Sequence, residues 1–462
     1  MLLTRIVNKP QSVHGLIRFT KSKAFILFIL ASFILLSHII IHFRLKLHYS
    51  SATATVIDTT ITTNQFQEER YLAYLPHSGL SNQRIELANA LLLAYMLKRT
   101  LLIPPAFLGN VFGWMPREQL MDHLQWLTTP KPFTKLCQRP TPGKIATYVQ
   151  RSRCEEYRNF GVLPWSDLHD LSPLTPYIQY RFQDVMSLET IQKQLNLSRD
   201  DIYLYEDAQL YDWRLYENIT QATEILGEHS NYVDSFGGRR YYKVLLPQHF
   251  YREEKLLFLG GVFGSTRLNI VDPELKTVHQ KITRALHYRL DTPLGMTVQS
   301  IVDHLGGKGS FMSVHFRTGD KPFKKELPTN LQNFVKNMTE IVGSHETDNC
   351  VDIPLYSDQM TVGKKVKVYI ATDHKDPKGK GSDLLPWFRE FPCTVTLGDL
   401  PGHLLSPLDD LRDMVSPSKS LKRFLIPLVD AMVAAHGRGI LTTPRSTFSK
   451  YIEELHKAWV PQ

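Results

Sequence analysis

A strand, a polar loop, a helix and a second strand follow one another within residues 71–103. The apolar segment Tyr71–Leu75 predicts a strand that runs into the turn-forming segment His77–Gln83. A helix is expected from about Gln83 to Lys98, because its apolar residues recur on one face. The second strand, Thr100–Ile103, ends at two prolines. Two consecutive strands joined by a helix lie parallel, so the pattern predicts an α/β fold.

The second half of the chain repeats this alternation. Its expected strands are Phe311–Phe316, Val366–Ala371, Thr394–Leu397 and Gly439–Thr442. A helix is expected over Leu421–Ala435, and another follows the last strand and ends near His456. Three glycines within Leu259–Ser265 indicate a junction, whereas the elements of residues 106–255 are not resolved by periodicity. We therefore predict two Rossmann-like lobes facing a cleft, at 71–265 and 266–462.

An apolar stretch, Ala24–Ile41, lies ahead of this region. Its 18 residues carry only three polar interruptions, which is near the lower limit for a helix that spans a bilayer. A cleaved signal peptide is the alternative, but no clear small-residue cleavage site follows. Five basic residues precede the stretch and two follow it, so the positive-inside rule predicts a lumenal C-terminal part. The expected segments are a cytoplasmic tail (1–23), a transmembrane anchor (24–43) and a Ser/Thr-rich stem (44–70).

The net charge of +9 does not indicate nucleic-acid binding. Seven basic residues and no acidic residue lie within residues 1–46, and the rest of the chain holds 47 basic and 45 acidic residues. The basic excess therefore belongs to the N-terminal segment, where it fits membrane orientation better than a polyanion-binding surface.

Cysteines and glycosylation sequons both fit a secretory location. The four cysteines can pair in three ways, and free buried thiols are the alternative. The choice that is local in sequence joins Cys137 to Cys154 and Cys350 to Cys393. Three N-glycosylation sequons begin at Asn196, Asn218 and Asn337. No cysteine pair has CxxC spacing and no convincing His/Cys cluster is present, so no metal is expected.

Four polar segments lie where the expected parallel strands end. They are His77–Gln83, His315–Asp320, Thr372–His374 and Arg445–Phe448. Ligands of open parallel sheets bind beyond the carboxyl ends of the strands. Arg317 presents a planar fork of donors that suits phosphate oxygens and would offset the charge on a departing diphosphate. Ser446 and Thr447 stand where a helix begins, so hydroxyls and free backbone N–H groups are available for another phosphate.

Each of these side chains also has a purely structural interpretation. His315 and Arg317 lie on one face of a strand and could bond a neighbouring strand. Asp373 could cap the turn that follows it, and Ser446 could be only a helix N-cap. Asn82 could stabilise its own loop through an Asx turn. Taken singly, none of these positions identifies a function.

Taken together, the segments resemble the GDP-fucose protein O-fucosyltransferase family, particularly its fungal-type, membrane-anchored members. The matching segments are HSGLSNQRIELANALLLAYMLKRTLLIPP (His77–Pro105), SVHFRTGD (Ser313–Asp320), VYIATD (Val368–Asp373) and RSTFSKYIEEL (Arg445–Leu455). Their order and spacing fit, and the resemblance spans roughly residues 71 to 457. HFRTGD with the downstream STF is its more specific element.

The resemblance implies a GT-B fold and an inverting, metal-independent transfer of fucose from GDP-fucose to a hydroxyl of a protein or glycan. Arg317 would compensate the charge of the diphosphate, and His315 would touch the nucleotide. Asp373 would bind the guanine or its ribose. Asn82, together with Gly79 in the same loop, would meet the diphosphate or the fucose. The phosphate and base pocket would be lined by Ser446, Thr447 and Phe448.

One position departs from the family. Characterised members carry an Arg or a Glu close to the position of Gly79, and one branch is thought to use that Glu as the base. Here the loop ahead of Arg84 holds no charged residue apart from His77. The candidates for a general base are therefore His77, Glu86 and Asp320, or the acceptor hydroxyl is activated without one.

Two other functions remain open from the sequence. One is a different GT-B glycosyltransferase, and the other is a catalytically silent lumenal protein that binds a glycan or a nucleotide. Arg317 favours an enzyme, because a silent protein has no leaving group to neutralise. The expected partners are GDP-fucose, an acceptor and the membrane, with no nucleic acid. The expected location is the Golgi or the endoplasmic reticulum, as a single-pass type II membrane protein.

Overall fold

The computed structural model describes residues 69–459 apart from 132–136, 138–147, 219, 221–233, 237–238, 320 and 344–365. The expected tail and anchor, nearly all of the expected stem, Asp320 and Cys350 therefore lie outside the described residues. Within the described ranges, no helix combines the length and the apolar character needed to cross a bilayer.

The described strands are short, and most of them precede residue 270. In chain order they are β1 (Tyr71–Ala73), β2 (Thr100–Ile103), β3 (Ala106–Gly109), β4 (Phe160–Leu163), β5 (Tyr180–Phe182), β6 (Ile202–Leu204), β7 (Trp213–Tyr216), β8 (Asp234–Phe236), β9 (Arg239–Tyr241), β10 (Lys243–Leu245), β11 (Leu256–Phe258), β12 (Leu268–Asn269), β13 (Met312–Phe316), β14 (Val368–Thr372), β15 (Thr394–Thr396) and β16 (Ile440–Thr442).

The helices lie between these strands, and from β13 onward they alternate with single strands. In chain order they are α1 (Leu80–Leu97), α2 (Arg117–Thr128), α3 (Tyr148–Asn159), α4 (Leu188–Leu195), α5 (Pro273–Ala285), α6 (Pro293–His304), α7 (Phe323–Val342), α8 (Leu385–Glu390), α9 (Lys422–Ala435) and α10 (Thr447–Trp459). Single turns of 3₁₀ helix occur at Trp165–Asp167, Ser172–Leu174, Pro247–Phe250 and Leu397–Asp399, and a longer one at Gly402–Asp410.

The first main sheet has the strand order β5-β2-β1-β11-β6, and every pair in it is parallel. This confirms the strand–helix–strand unit expected over residues 71–103. The chain leaves β1 through α1 to reach β2 on one side, whereas β11 lies on the other side. The carboxyl end of β1 is therefore a point where the strand order reverses, which is where open α/β sheets form their ligand crevice.

The second main sheet has the order β15-β14-β13-β16, also parallel throughout. Its four strands confirm those expected from the sequence, with bounds that differ by no more than two residues. From β13 the chain adds β14 and β15 on one side and then returns through α9 to place β16 on the other. The carboxyl end of β13 is thus a second reversal point, and α10 begins five residues after β16.

Helix α1 is buried on most of its surface because it lies between the first sheet and two other helices. It packs against α5 and α10 as well as β2. The side chains of Leu87, Leu91 and Leu92 are completely buried, and each contributes roughly 1.5–3 kcal/mol of burial free energy. The helix ends at Lys98 in the left-handed conformation, and the chain turns there directly into β2.

The glycine-rich segment Leu259–Ser265 does more than join two regions. It follows β11, an interior strand of the first sheet, and two of its glycines lie against polar side chains. A Cβ atom at Gly260 would lie 2.3 Å from Asp207 Oδ2, and one at Gly261 would lie 2.7 Å from His77 Nε2. Close approach therefore requires glycine here. The lobe boundary between residues 265 and 266 stays a prediction.

The cysteine pairing is confirmed where the structure describes it. Cys137 and Cys154 form a disulfide. Cys393 is also disulfide-bonded, and its expected partner Cys350 lies outside the described residues. The local pairing expected from the sequence therefore holds for the first pair.

Candidate functional site

Arg317 follows β13 at the reversal point of the second sheet. Its backbone N–H donates to Thr443 Oγ1 at 3.0 Å, and Thr443 in turn donates its own N–H to the carbonyl of His315 at 3.1 Å. These bonds fix the end of β13 against the end of β16. The Arg317 side chain is 35% exposed, and its Nη1 lies 3.3 Å from Asp373 Oδ2. The guanidinium is thus oriented and still accessible from solvent.

Asp373 follows β14 and organises the loop that carries Arg317. Its Oδ1 accepts hydrogen bonds from the backbone N–H of Thr318 at 2.6 Å and from the hydroxyl of Thr318 at 2.9 Å. Its Oδ2 accepts the N–H of Gly319 at 3.1 Å and also faces Arg317. The carboxylate of Asp373 therefore binds the loop after β13, which carries Arg317, rather than capping the turn that follows Asp373 itself. Its expected contact with guanine or ribose stays a prediction, and a ligand would compete with these donors.

His315 points from β13 towards the first turn of α10. Its side chain is buried, its Nδ1 lies 2.7 Å from Ser449 Oγ, and its ring centroid lies 5.4 Å from that of Phe448. Burial lowers the pKa of His315 to about 4; nearby Asp373 opposes the shift and Arg317 adds to it. The imidazole is therefore neutral near pH 7, and it holds the start of α10 against β13.

Ser446 caps the start of α10, as the structural interpretation expected. Its Oγ accepts the N–H of Ser449 at 3.2 Å. Thr447 and Phe448 follow in the first helical turn and are half-buried. The N–H groups of a first turn have no partner inside the helix, so they favour an anion at this end. A phosphate-binding role and a capping role are compatible here.

The loop after β1 is built around Gln83. The Gln83 side chain donates to the carbonyls of Ser78 and Phe107 at 2.9 and 3.0 Å and accepts the N–H of Phe107 at 2.9 Å. Gly79 precedes α1, and a Cβ there would lie 3.3 Å from Val111 Cγ2. Asn82 is half-buried, and its Oδ1 is buried from solvent and accepts no hydrogen bond from the residues that the structure describes. Its expected contact with the donor substrate stays a prediction.

Beneath this loop, His77 and Glu86 form a buried pair. Both side chains are 0% exposed, and His77 Nε2 lies 3.3 Å from Glu86 Oε1. The backbone N–H of His77 donates to Glu86 Oε2 at 3.0 Å. Burial, with a smaller contribution from Arg267, lowers the pKa of His77 to about 4. Neither side chain can touch an acceptor directly, so the sequence-based assignment of either one as a direct base is corrected by its burial.

The two loops are linked through the packing of α1 on α10. Arg84 of α1 donates from Nη2 to Glu454 Oε2 at 3.2 Å, and its guanidinium carbon lies 3.4 Å above the ring centre of Tyr451. The site residues form two groups, one at the carboxyl ends of the second sheet and one in the loop after β1. One group comprises His315, Arg317, Asp373, Ser446, Thr447 and Phe448; the other comprises His77, Gly79 and Asn82. Asp320 belongs to the Arg317 loop but lies outside the described residues.

Two residues that support the site, Asp430 and Thr443, were not identified from the sequence. Asp430 of α9 accepts the hydroxyl of Tyr369 at 2.5 Å and the N–H of Thr372 at 3.0 Å, which fixes the end of β14 just before Asp373. Burial raises the pKa of Asp430 to about 7. The signal was a lone carboxylate within the apolar run LIPLVDAMVAA. Thr443 carried no comparable signal, because its role depends on the pairing of β13 with β16.

A separate cavity of about 720 Å³ opens at the other end of α1, lined by Tyr95 and Arg99 among others. The two named side chains are engaged within the protein, since Glu274 accepts the Tyr95 hydroxyl and Arg99 donates to backbone carbonyls. Among the described side chains, no group of three or more His, Cys, Asp or Glu residues is placed to hold a metal ion.

Comparison with known proteins gives one curated match at the sequence level. No family model matches the chain. Over 155 residues the chain is 29% identical to O-fucosyltransferase 30 of Arabidopsis thaliana, a match that covers 33% of this chain and 27% of that protein. The chain thus spans about a quarter of the length of the curated relative it matches. The match confirms the resemblance to O-fucosyltransferases for that third of the chain.

The chain also aligns with solved structures. POFUT1 in complex with GDP aligns with a TM-score of 0.39 and 12% identity, covering 85% of this chain and 97% of that chain. The fucosyltransferase NodZ from Bradyrhizobium aligns with a TM-score of 0.36 and 12% identity, covering 84% of this chain and 94% of that chain.

Proposed function

We propose that this protein transfers fucose from GDP-fucose to a hydroxyl group of a protein or glycan acceptor. The observation that carries the proposal is the guanidinium of Arg317, held by Asp373 at the reversal point of the second sheet yet 35% exposed. The sequence match to O-fucosyltransferase 30 supports the choice of fucose. The two parallel sheets support a GT-B arrangement, in which the nucleotide sugar binds mainly to the C-terminal lobe.

The proposed chemistry is an inverting displacement at C1 of the fucose. The acceptor oxygen attacks C1 from one face while the bond from C1 to the diphosphate oxygen breaks on the other. Negative charge develops on the departing GDP, so fixed donors that face it lower the barrier. Arg317 offers two parallel N–H groups to phosphate oxygens, and the first turn of α10 offers backbone N–H groups. Asn82 and Gly79 would meet the donor from the other loop.

Metal independence is part of the proposal. The positive charge that a divalent ion would supply to the diphosphate comes instead from Arg317 and the start of α10. The chain also contains no Asp-x-Asp sequence, which commonly binds such an ion to a diphosphate in other glycosyltransferases. His315, neutral at physiological pH, adds no competing positive charge beside Arg317.

A panel of labelled sugar nucleotides offered to the purified full-length protein tests the function. We expect GDP-fucose to bind and to release GDP, and we expect this turnover to survive excess chelator. Turnover of another nucleotide sugar would favour a different GT-B transferase. Binding of a nucleotide or a glycan without turnover would favour a silent binding protein. A requirement for manganese would contradict the proposed role of Arg317 as the source of charge compensation.

The proposed location is the lumen of the Golgi or the endoplasmic reticulum, with one N-terminal anchor. The basic residues ahead of Ala24 support this orientation, and the three sequon asparagines, at 196, 218 and 337, are all exposed. A tag placed after Gln462 should be protected from protease in sealed microsomes, whereas a tag before Met1 should be cleaved. Digestion of the C-terminal tag in intact vesicles would contradict the secretory location.

A further inference from the structure

A serine, a histidine and a glutamate lie in line at the loop after β1. Ser78 Oγ lies within hydrogen-bond distance of His77 Nδ1, at 2.8 Å. His77 Nε2 lies 3.3 Å from Glu86 Oε1, but neither atom makes a hydrogen bond among the described residues, so a proton transfer between them requires this contact to shorten and align. His77 and Glu86 are completely buried, whereas Ser78 is half-buried. The hydroxyl of Ser78 is therefore the member of the series that a substrate can reach. This serine had no role in the sequence-based site.

The backbone holds Ser78 in an unusual conformation. Its φ angle is +70°, in the left-handed region. This conformation costs a non-glycine residue of order 1–3 kcal/mol and persists only where the surrounding structure enforces it. The N–H of Ser78 donates to the carbonyl of Phe112 at 2.7 Å, and its carbonyl accepts from Gln83. These bonds fix a strained serine at the carboxyl end of β1, where the strand order of the first sheet reverses.

We propose that Ser78, His77 and Glu86 form a proton relay that removes the proton of the attacking acceptor hydroxyl. The inference rests on the proposed function and identifies the missing base for that reaction. Ser78 is the catalytic residue because it touches the acceptor. His77 and Glu86 act through it and are positioning residues.

The relay balances protons and electrons in one step. The acceptor oxygen forms its bond to C1 of the fucose while the bond from C1 to GDP breaks and GDP keeps the electron pair. The acceptor proton passes to Ser78 Oγ, the Ser78 proton passes to His77 Nδ1, and the proton on His77 Nε2 passes to Glu86 Oε1. After the product leaves, the three transfers run in reverse, so that Glu86 loses its proton and Ser78 releases one proton to solvent.

The surroundings of Glu86 suit a proton acceptor. Burial raises the pKa of Glu86 well above its usual range, while the His77 N–H and Arg267 oppose the shift and Asp207 adds to it. Tyr74 also faces Glu86, and its hydroxyl is buried with no hydrogen-bond partner among the described residues. A carboxylate with a raised pKa binds a proton strongly. Turnover should therefore increase with pH as Glu86 loses its resting proton.

Two substitutions of the full-length protein test the relay, with GDP-fucose as donor and water as acceptor. In Glu86→Gln the amide oxygen can still accept the backbone N–H of His77. The amide N–H₂ group, however, donates to His77 Nε2, so the proton of the imidazole moves to Nδ1. Nδ1 then cannot accept the proton of Ser78. We expect Glu86→Gln to lower kcat by roughly a hundredfold or more and to abolish the rise of kcat with pH, with little change in KM for GDP-fucose.

Ser78→Gly provides the second variant. Glycine adopts a φ of +70° without strain, so the loop keeps its conformation while the hydroxyl is lost. We expect a fall in kcat of similar size, with GDP binding by calorimetry unchanged. Ser300→Ala and Glu274→Gln, on exposed positions of α6 and α5, are matched controls that should retain wild-type turnover.

The outcomes separate the relay from the function it serves. If wild-type protein releases GDP from GDP-fucose but Glu86→Gln and Ser78→Gly both keep kcat within about threefold and the same pH profile, the relay is wrong and the function stands. If the folded wild-type protein neither binds nor turns over GDP-fucose, the proposed function and the relay both fail. Loss of kcat in both variants, with GDP binding and the controls intact, supports the relay.

Discussion

Replacing Arg317 by lysine should lower the turnover of GDP-fucose by about a hundredfold or more while weakening GDP-fucose binding much less. Lysine keeps the positive charge but loses the planar fork that holds two phosphate oxygens at once. Loss of a preorganised donor to transition-state charge costs about 3 kcal/mol, which corresponds to this change in rate. Because the effect falls on the developing charge of GDP, kcat should decrease more than KM increases.

The same variant distinguishes a catalytic Arg317 from a structural one. Arg289→Lys is a matched control, because Arg289 is 34% exposed and also pairs with a carboxylate, that of Asp291. If Arg317 acts on the leaving group, both variants should melt near the wild-type temperature and only Arg317→Lys should lose turnover. If Arg317 serves only to bind Asp373, Arg317→Lys should melt lower while each folded molecule keeps its activity. Melting and turnover measured on one preparation decide between these.

The unit β1-α1-β2 and the four strands of the second main sheet could be predicted because an apolar run is a local signal. Tyr71–Ala73 and Met312–Phe316 are buried along their whole length, and fully buried parallel strands appear in the sequence as short apolar runs. The helix between β1 and β2 begins three residues before its expected start, at Leu80. The polar loop and the helix share residues there, which the apolar pattern alone does not separate.

The middle of the chain could not be predicted for the opposite reason. Leu256–Phe258 and Ile202–Leu204 complete the first sheet, yet each strand is three residues long and gives no periodic signal. Their place depends on pairing with β1 and with each other. Long-range pairing of this kind is not encoded in any window of the sequence.

The site divides in the same way. Arg317 and Ser446 were predictable because a cationic fork and a helix start each have a local chemical meaning. The role of Asp373 was not, because its donors come from Thr318 and Gly319, about 55 residues away in the chain. The line of Ser78, His77 and Glu86 depends on the path of the β1 loop over α1. Ser78 and His77 are adjacent in the sequence, but the sequence does not show that Glu86 lies beneath them in the fold.

Replacing Arg267 by methionine should cost about 3–5 kcal/mol of folding stability, the loss expected when one member of a buried charge cluster is removed. Arg267 is completely buried. It donates from Nε to Phe263 O at 2.9 Å, from Nη1 to Trp213 O at 2.6 Å and from Nη2 to Leu210 O at 2.8 Å. Methionine fills a similar volume but leaves these three carbonyls without their donors. Urea unfolding at pH 8 measures the loss.

The pH dependence of that loss tests its electrostatic part. Burial raises the pKa of Asp207 to about 6, and Arg267 opposes the shift. The pKa of an aspartate in the unfolded chain is about 3.9, so the folded state binds the proton of Asp207 more tightly. Protonation of Asp207 therefore stabilises the folded state at low pH, and this stabilisation is lost as pH rises from about 4 to about 6. Without Arg267 the pKa of Asp207 rises further, so the loss of stability continues above pH 6.

The loss of folding stability in Arg267→Met should therefore be larger at pH 8 than at pH 5. The control Arg289→Met, at an exposed position, should change stability by about 1 kcal/mol or less at either pH. An equal deficit at both values would show that the lost hydrogen bonds, rather than the charges of Asp207 and Glu86, account for the destabilisation.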